Sequence, residues 1–213
     1  MKSLILTCLF AVAVGVFSAS ADDSSTNKTS APKPSSKEVA VIKTSAGEMV
    51  IEFWPDVAPK TVANFIKLSK QGFYDGTCFH RIIKGFMIQG GDPDSKNKSA
   101  SPDSFGGGSP GYTIPDEFNS KKHETGVISM ANTGAQNSGG CQFFICLPPA
   151  DDPHMQYLNG HYTAFGKVIK GEDVLLKLGD SPCTGPNSMG EFSIPKPRVD
   201  LISIKIVPAD SIK

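Results

Sequence analysis

From residue 38 onward, short apolar runs alternate with turn residues. Glu38 to Thr44 (EVAVIKT) alternates apolar and polar positions. Ser-Ala-Gly follows, then EMVIEFW, which predicts a hairpin about a glycine-containing turn. In APKTVANFIKLSKQGF the period changes: Val62, Phe65, Ile66 and Ser69 recur at helical spacing, Pro59 suits a first turn and Gly72 a C-cap. One amphipathic helix is therefore expected from Pro59 to Lys70. Cys78 to Ile83 and Phe86 to Gln89 read as strands broken at Lys84-Gly85, and a long Gly/Ser/Pro loop runs from Gly90 to Gly111. Val127 to Ala131, Gln142 to Leu147 and Thr163 to Ile169 are further strand-like runs. GEDVLLKL (Gly171 to Leu178) predicts a second, shorter helix, and Val199 to Val207 a closing strand. Many short strands with turns between them, plus two helices, predict a mainly β protein built as a barrel, its open ends capped by the helices.

Before residue 38 the pattern is different. Lys2 is followed by an apolar stretch from Leu4 to Phe17, shorter than the ~20 residues of a membrane span. Ala19-Ser20-Ala21 fits a small-residue cleavage pattern, so residues 1–21 read as a secretory signal peptide cut after Ala21, with an uncleaved anchor as the alternative. Cys8 lies inside the apolar stretch rather than at the cut, which argues against a lipoprotein signal. Asp22 to Lys37 is rich in Ser, Lys and Pro and reads as a flexible linker. The folded domain is expected over residues 38–209. The protein is expected to be exported, periplasmic or secreted, with no membrane association after signal removal. No C-terminal retention signal of the K-D-E-L type is present.

Composition narrows the chemistry. The chain has 213 residues, 39% hydrophobic and 20% charged, with a formal net charge of zero. No global field would steer it to nucleic acid. Gly106 to Gly111 satisfies G-x-G-x-x-G, but it sits late in a loop with Pro110 inside it and no helix after it, so a dinucleotide site is not expected. His80, His123, His154 and His161 lack metal-ligand spacing, and no metal or cofactor is expected. His80, within a strand, reads as a hydrogen-bonded structural histidine. Cys141 with His161 is a conceivable nucleophile pair without a supporting signature. Cys141 and Cys146, five residues apart along a strand, are unlike disulfide partners, since five steps span roughly 16 Å. A bridge from Cys183 and four free thiols both fit the sequence. Asn27 and Asn97 open glycosylation acceptor triplets.

Three stretches are far more specific. They are FHRIIKGFMIQGGD (Phe79 to Asp92), SMANTGAQNSGGCQFFICL (Ser129 to Leu147) and YLNGHYTAFGKVIKG (Tyr157 to Gly171). In this order and spacing the chain closely resembles the cyclophilins, peptidyl-prolyl cis–trans isomerases, from about Glu38 to Pro208. The resemblance implies a closed eight-stranded antiparallel β-barrel capped by two α-helices. It also implies acceleration of rotation about X–Pro bonds without a cofactor, and with the leader-like N-terminus this gives an isomerase expected to assist the folding of exported proteins. Position by position it implies Arg81 as the catalytic residue and Phe86, Met87 and Gln89 as pocket and peptide contacts. Ala131 and Asn132 would contact the residue before proline. Gln142 and Phe144 would form the far wall, and Leu158 the floor. Tyr157 stands where the family often has tryptophan, at a position that touches the cyclic-peptide inhibitor cyclosporin. Tyr162 stands where it often has histidine and would keep an aromatic wall over the proline ring. The loop from Pro93 to Ser109 looks longer than in compact members. The implied partners are proline-containing polypeptides and a cyclosporin-type ligand, and the chain is expected to be a monomer. The alternatives are a proline-peptide binding module on the same barrel, with catalysis incidental, and a structural reading in which Arg81 is paired with an acid and the groove is closed.

Overall fold

The computed structural model describes residues 37–186 and 190–212. The expected signal peptide and all of the linker but its last residue lie outside them. The expected hairpin forms from β1 (Glu38–Thr44) and β2 (Gly47–Phe53), paired antiparallel with Val41 opposite Val50. The helix α1 (Pro59–Lys70) has the predicted limits, and Pro59 opens its first turn. No side chain of its own caps it. Instead the distant Glu117 carboxylate accepts hydrogen bonds from Lys60 N–H (3.0 Å), Thr61 N–H (2.8 Å) and the Thr61 hydroxyl (2.8 Å). These donors would otherwise be left over at the helix start, where negative charge is also favoured.

The predicted Cys78-to-Ile83 run is two strands, β3 (Cys78–Phe79) and β4 (Arg81–Ile83), separated by His80. Next come β5 (Met87–Gly90), β6 (Val127–Met130) and β7 (Phe143–Cys146). The chain then forms α2 (Pro153–Leu158), β8 (Thr163–Lys170) and α3 (Glu172–Gly179). A separate two-stranded hairpin, β9 (Cys183–Pro186) with β10 (Phe192–Pro195), precedes the last strand, β11 (Val199–Pro208).

One nine-stranded sheet runs β3-β11-β1-β2-β8-β6-β7-β5-β4, every pair antiparallel. Its first and last members are the two halves of one run, joined through His80. The sheet therefore nearly closes on itself, and with β3 and β4 counted as one strand it is the expected eight-stranded barrel. Closure leaves little exposed edge.

Three α-helices occur among the described residues rather than two. The unforeseen one, α2, is too short to display a helical period. Its signals are local: the Asp152 carboxylate caps His154 N–H, and Pro153 follows at the first position. The β9–β10 hairpin was also unforeseen, because its sequence is dominated by turn residues. No helix among the described residues is long and apolar enough to cross a membrane.

Alternation divides the strands into an inner and an outer face. Ile82, Ile88, Ile128 and Ile145 point inward, in one cluster with Phe65 of α1 and Leu175 of α3. Phe65 packs against Phe53, Tyr74, Phe143 and Phe165 at centroid distances of 5.2–5.8 Å. The outer positions of β5, β6 and β7 carry Met87, Val127, Phe144 and Cys146, which form a second cluster with Met155 and Leu158 of α2.

All four cysteines of the described domain are free: Cys78, Cys141 and Cys146 are buried and Cys183 is half-buried.

Candidate active site

Three adjoining strands bring the outer residues into line. Arg81 is opposite Gln89 on β5, and Gln89 is opposite Phe144 on β7. Residues opposite each other in antiparallel strands share a face. Arg81 thus lies outside the barrel core, which is why a charge is tolerated in an apolar run. Its side chain keeps 22% exposure.

A groove of about 370 Å³ opens over this face. Its apolar wall comprises Phe86, Met87, Phe144, Leu158 and Tyr162, with Arg81, Gln89, Ala131 and Asn132 around it. Phe144 and Tyr162 meet edge to face at 5.4 Å. Pro102, Asp103 and Phe105 from the long loop and Ser193 and Ile194 from β10 also line the groove. These residues, and Glu191 beside them, belong to no motif in the sequence. Nothing in one dimension indicates that a loop and a late hairpin return to the same wall.

The predicted residues do not all meet in that groove. Gln142 lines an adjoining depression of about 360 Å³, shared with Gln89, Ala131 and Asn132. Tyr157 is 67% exposed and stacks on His161 at 5.0 Å. It borders a separate depression with Asn132 and Tyr162. Its position on the short α2 turns it away from the proline-sized groove.

A directional chain of hydrogen bonds orders the polar rim. Gln142 Nε2 donates to the carbonyls of Gly106 (2.9 Å) and Gly108 (3.0 Å). Gln89 Nε2 donates to Gln142 Oε1 (3.1 Å), and Arg81 Nη1 donates to Gln89 Oε1 (3.3 Å). The G-x-G-x-x-G stretch thus lends its carbonyls to Gln142. Its amides are held by the fully buried Asp92, whose Oδ2 accepts from Gly106 N–H and Gly108 N–H. A Cβ at Gly108 would stand 1.9 Å from Asp92 Oδ1, so only glycine permits this approach.

Asn132 Nδ2 donates to the His161 carbonyl (3.0 Å), while its Oδ1 accepts from Gly134 N–H (3.0 Å). Beneath the wall, the His123 ring stacks on Phe144 at 6.2 Å. His123 Nδ1 lies 3.0 Å from Asn159 Oδ1, an acceptor, so Nδ1 carries the proton. Nε2 then accepts from the Ser129 hydroxyl at 3.0 Å. Burial lowers the His123 pKa below its ordinary value, against the Asn159 hydrogen bond.

One expectation, a hydrogen-bonded His80, is corrected here, and one pairing that lacked a signature is settled. His80, 7% exposed, borders the groove, yet neither ring nitrogen has a hydrogen-bond partner among the described residues. Burial, with the neighbouring Arg81 charge, pushes its pKa down to about 4, against the pull of the Asp92 carboxylate and of the Cys78 backbone, which lies near the ring without forming a hydrogen bond of good geometry. The Cys141–His161 nucleophile pair is not formed. The buried Cys141 thiol is pushed up to about 12 by desolvation, the reverse of activation, and His161 Nδ1 is engaged 2.8 Å from the Tyr157 carbonyl.

The barrel, the external apolar groove and the oriented guanidinium define a protein suited to holding a short peptide without covalent chemistry. Residues 39–205 match the family described as "Cyclophilin type peptidyl-prolyl cis-trans isomerase/CLD". A peptidyl-prolyl cis-trans isomerase of Synechococcus elongatus is 46% identical over 135 residues, 63% of this chain and 83% of the relative. Peptidyl-prolyl cis-trans isomerase CYP18-1 of Arabidopsis thaliana is 43% identical over 78% of this chain and 96% of its own. The crystal structure of a cyclophilin type isomerase from Cryptosporidium parvum, determined in the presence of the dipeptide Ala-Pro, superposes with a TM-score of 0.63 at 32% identity. That match covers 79% of this chain and 98% of that one. The chain belongs to the cyclophilin-type peptidyl-prolyl cis-trans isomerases, and its activity is interconversion of cis and trans X–Pro bonds.

Proposed function

We propose that this isomerase acts on proline-containing segments of exported polypeptides, with Arg81 as its catalytic residue. The observation that carries the reading is the Arg81 guanidinium at the edge of an apolar groove, steadied by Gln89, with Met87 Sδ 3.9 Å from Nη1.

An X–Pro bond resists rotation because the nitrogen lone pair is delocalised into the carbonyl. At the twisted state that lone pair is localised and can accept a hydrogen bond. A donor placed there binds the twisted amide better than the planar one, and such differential binding is what accelerates a reaction. No bond to the substrate forms or breaks. Phe86, Met87, Phe144, Leu158 and Tyr162 would hold the proline ring and exclude water from the amide. Gln89, Ala131, Asn132 and Gln142 would restrain the flanking backbone so that one side rotates against the other. A cyclosporin-type peptide would compete for this groove without a close contact from Tyr157.

What supports the exported setting is the leader-like sequence of residues 2–21 and the linker after it. Expression in a secreting host, followed by intact-mass measurement, should return a chain beginning at Asp22.

The activity assay follows cis-to-trans conversion of a short Ala-Pro-Phe peptide by the domain and by Arg81→Ala. Arg81→Ala should lose about a hundredfold in kcat/KM, the order seen when one transition-state donor is removed. A folded variant with undiminished activity would refute the role of Arg81. Peptide binding without turnover by the unsubstituted domain would favour a binding module.

A further inference from the structure

Arg81 has a second partner that no motif announces. Arg81 Nε donates to Glu191 Oε2 and Arg81 Nη2 to Glu191 Oε1, each at 2.8 Å. Two parallel N–H···O bonds between a planar guanidinium and a carboxylate are the most directional ion pair that side chains make. With Nη1 donating to Gln89 Oε1 and, more weakly, to Met87 Sδ, the guanidinium makes four hydrogen bonds with its five N–H groups. One N–H on Nη2 lies beyond these four bonds, and the one on Met87 Sδ meets only a weak sulfur acceptor in the groove wall.

Glu191 is brought there by the β9–β10 hairpin. Lys196 N–H donates to the Pro182 carbonyl at 2.8 Å and closes the hairpin's base. The Cys183 thiol donates to the Ile82 carbonyl at 3.4 Å, fastening the hairpin to β4, the strand that carries Arg81. Ser193, two residues beyond Glu191, is 1% exposed, so this part of the hairpin is packed down. The carboxylate keeps 34% exposure and the guanidinium 22%.

An unpartnered, partly exposed arginine samples many rotamers, whereas a donor that acts on a transient lone pair must already be in place. We infer that Glu191 is a positioning residue for the isomerase reaction, holding the Arg81 guanidinium by its Nε/Nη2 edge while Gln89 holds Nη1, so that the second Nη2 N–H and the N–H resting on Met87 Sδ serve the groove. This rests on the role proposed for Arg81. The opposite arrangement, a carboxylate that blocks Arg81 until substrate displaces it, uses the same contact and predicts the opposite kinetics.

The test compares the unsubstituted domain, Glu191→Ala, Glu191→Gln, Arg81→Ala and the double variant Arg81→Ala/Glu191→Ala. Glu191→Ala should lower kcat by about tenfold, in keeping with the sensitivity of catalysis to small misplacements. Its KM should change little. Glu191→Gln keeps one acceptor at the same reach and should recover part of the loss. In the Arg81→Ala background, removing Glu191 should have no further effect. In 15N-arginine-labelled protein the Arg81 Nε–H signal should be slow to exchange, and should lose that protection in Glu191→Ala. An unchanged or raised kcat in Glu191→Ala, or an unprotected Arg81 Nε–H in the unsubstituted protein, would overturn the inference. If Arg81→Ala keeps full activity, the role of Arg81 itself has failed. If Arg81→Ala is impaired while both Glu191 variants match the parent, only the Glu191 inference has failed.

Discussion

Arg81 and His80 are neighbours in sequence with opposite environments. Arg81 projects outward and finds Gln89 and Glu191. His80 occupies the break between β3 and β4, is buried, and finds no partner for either nitrogen among the described residues. A buried imidazole without partners favours its neutral form. The folded-state pKa of about 4 lies below the ordinary 6.5, so the unfolded chain binds the extra proton first. His80 therefore contributes stability that is present above about pH 6.5 and is lost as pH falls toward about 4. A shift of this size corresponds to an effect on the order of 3 kcal/mol. His123, shifted in the same direction by burial, adds to the loss on the acid side. Urea unfolding at a series of pH values should show the midpoint falling through this window, and His80→Leu should shrink the fall. An equal fall in that variant would assign it to other groups. The thiols give a second expectation at this scale. Among the described residues burial raises the pKa of all four thiols, and of these Cys183 alone is not fully buried. Alkylation followed by peptide mass mapping should label Cys183 before the other three.

At the scale of elements, the opposite faces of β4, β5 and β7 separate the core from the groove. The inward isoleucines build the core, and the outward Arg81, Met87, Gln89 and Phe144 build the groove. This division was legible, because alternation with period two is visible in the sequence. The start of α1 was legible in part: Pro59 marks it, but its capping group is Glu117, which lies more than fifty residues away. Glu117→Ala should remove three hydrogen bonds from the first turn and destabilise the domain by about 1–2 kcal/mol. Thermal unfolding can measure this, with Thr61→Val as a check on the hydroxyl bond alone. The long loop is legible in the sequence as a loop, but its internal order is not. Asp92 organises it from beneath, and two short 3₁₀ turns, Pro93–Lys96 and Pro102–Ser104, bring Phe105 to the groove.

At the scale of the molecule, the barrel closes because the run that begins the sheet also ends it, with His80 at the joint. The interior is then filled by an aromatic cluster centred on Phe65, which is fully buried and touches rings from β2, β7, β8 and the segment after α1. Phe65→Ala should cost about 3–5 kcal/mol by leaving a cavity that rigid neighbours cannot fill. A loss of stability well below that range would mean the cluster collapses into the space. The sequence by itself determined the strand and helix periods, the limits of α1 and the mainly β class. These are properties of spacing along a chain, and the physics of alternation and helical pitch reads them directly. Tertiary structure alone decided what stands across the groove. It set Glu191 against Arg81, His123 beneath Phe144 and Gly106 and Gly108 against Gln142, and it turned Tyr157 out to solvent. Each of these depends on segments distant in sequence meeting after the barrel has closed, and no local pattern carries that information.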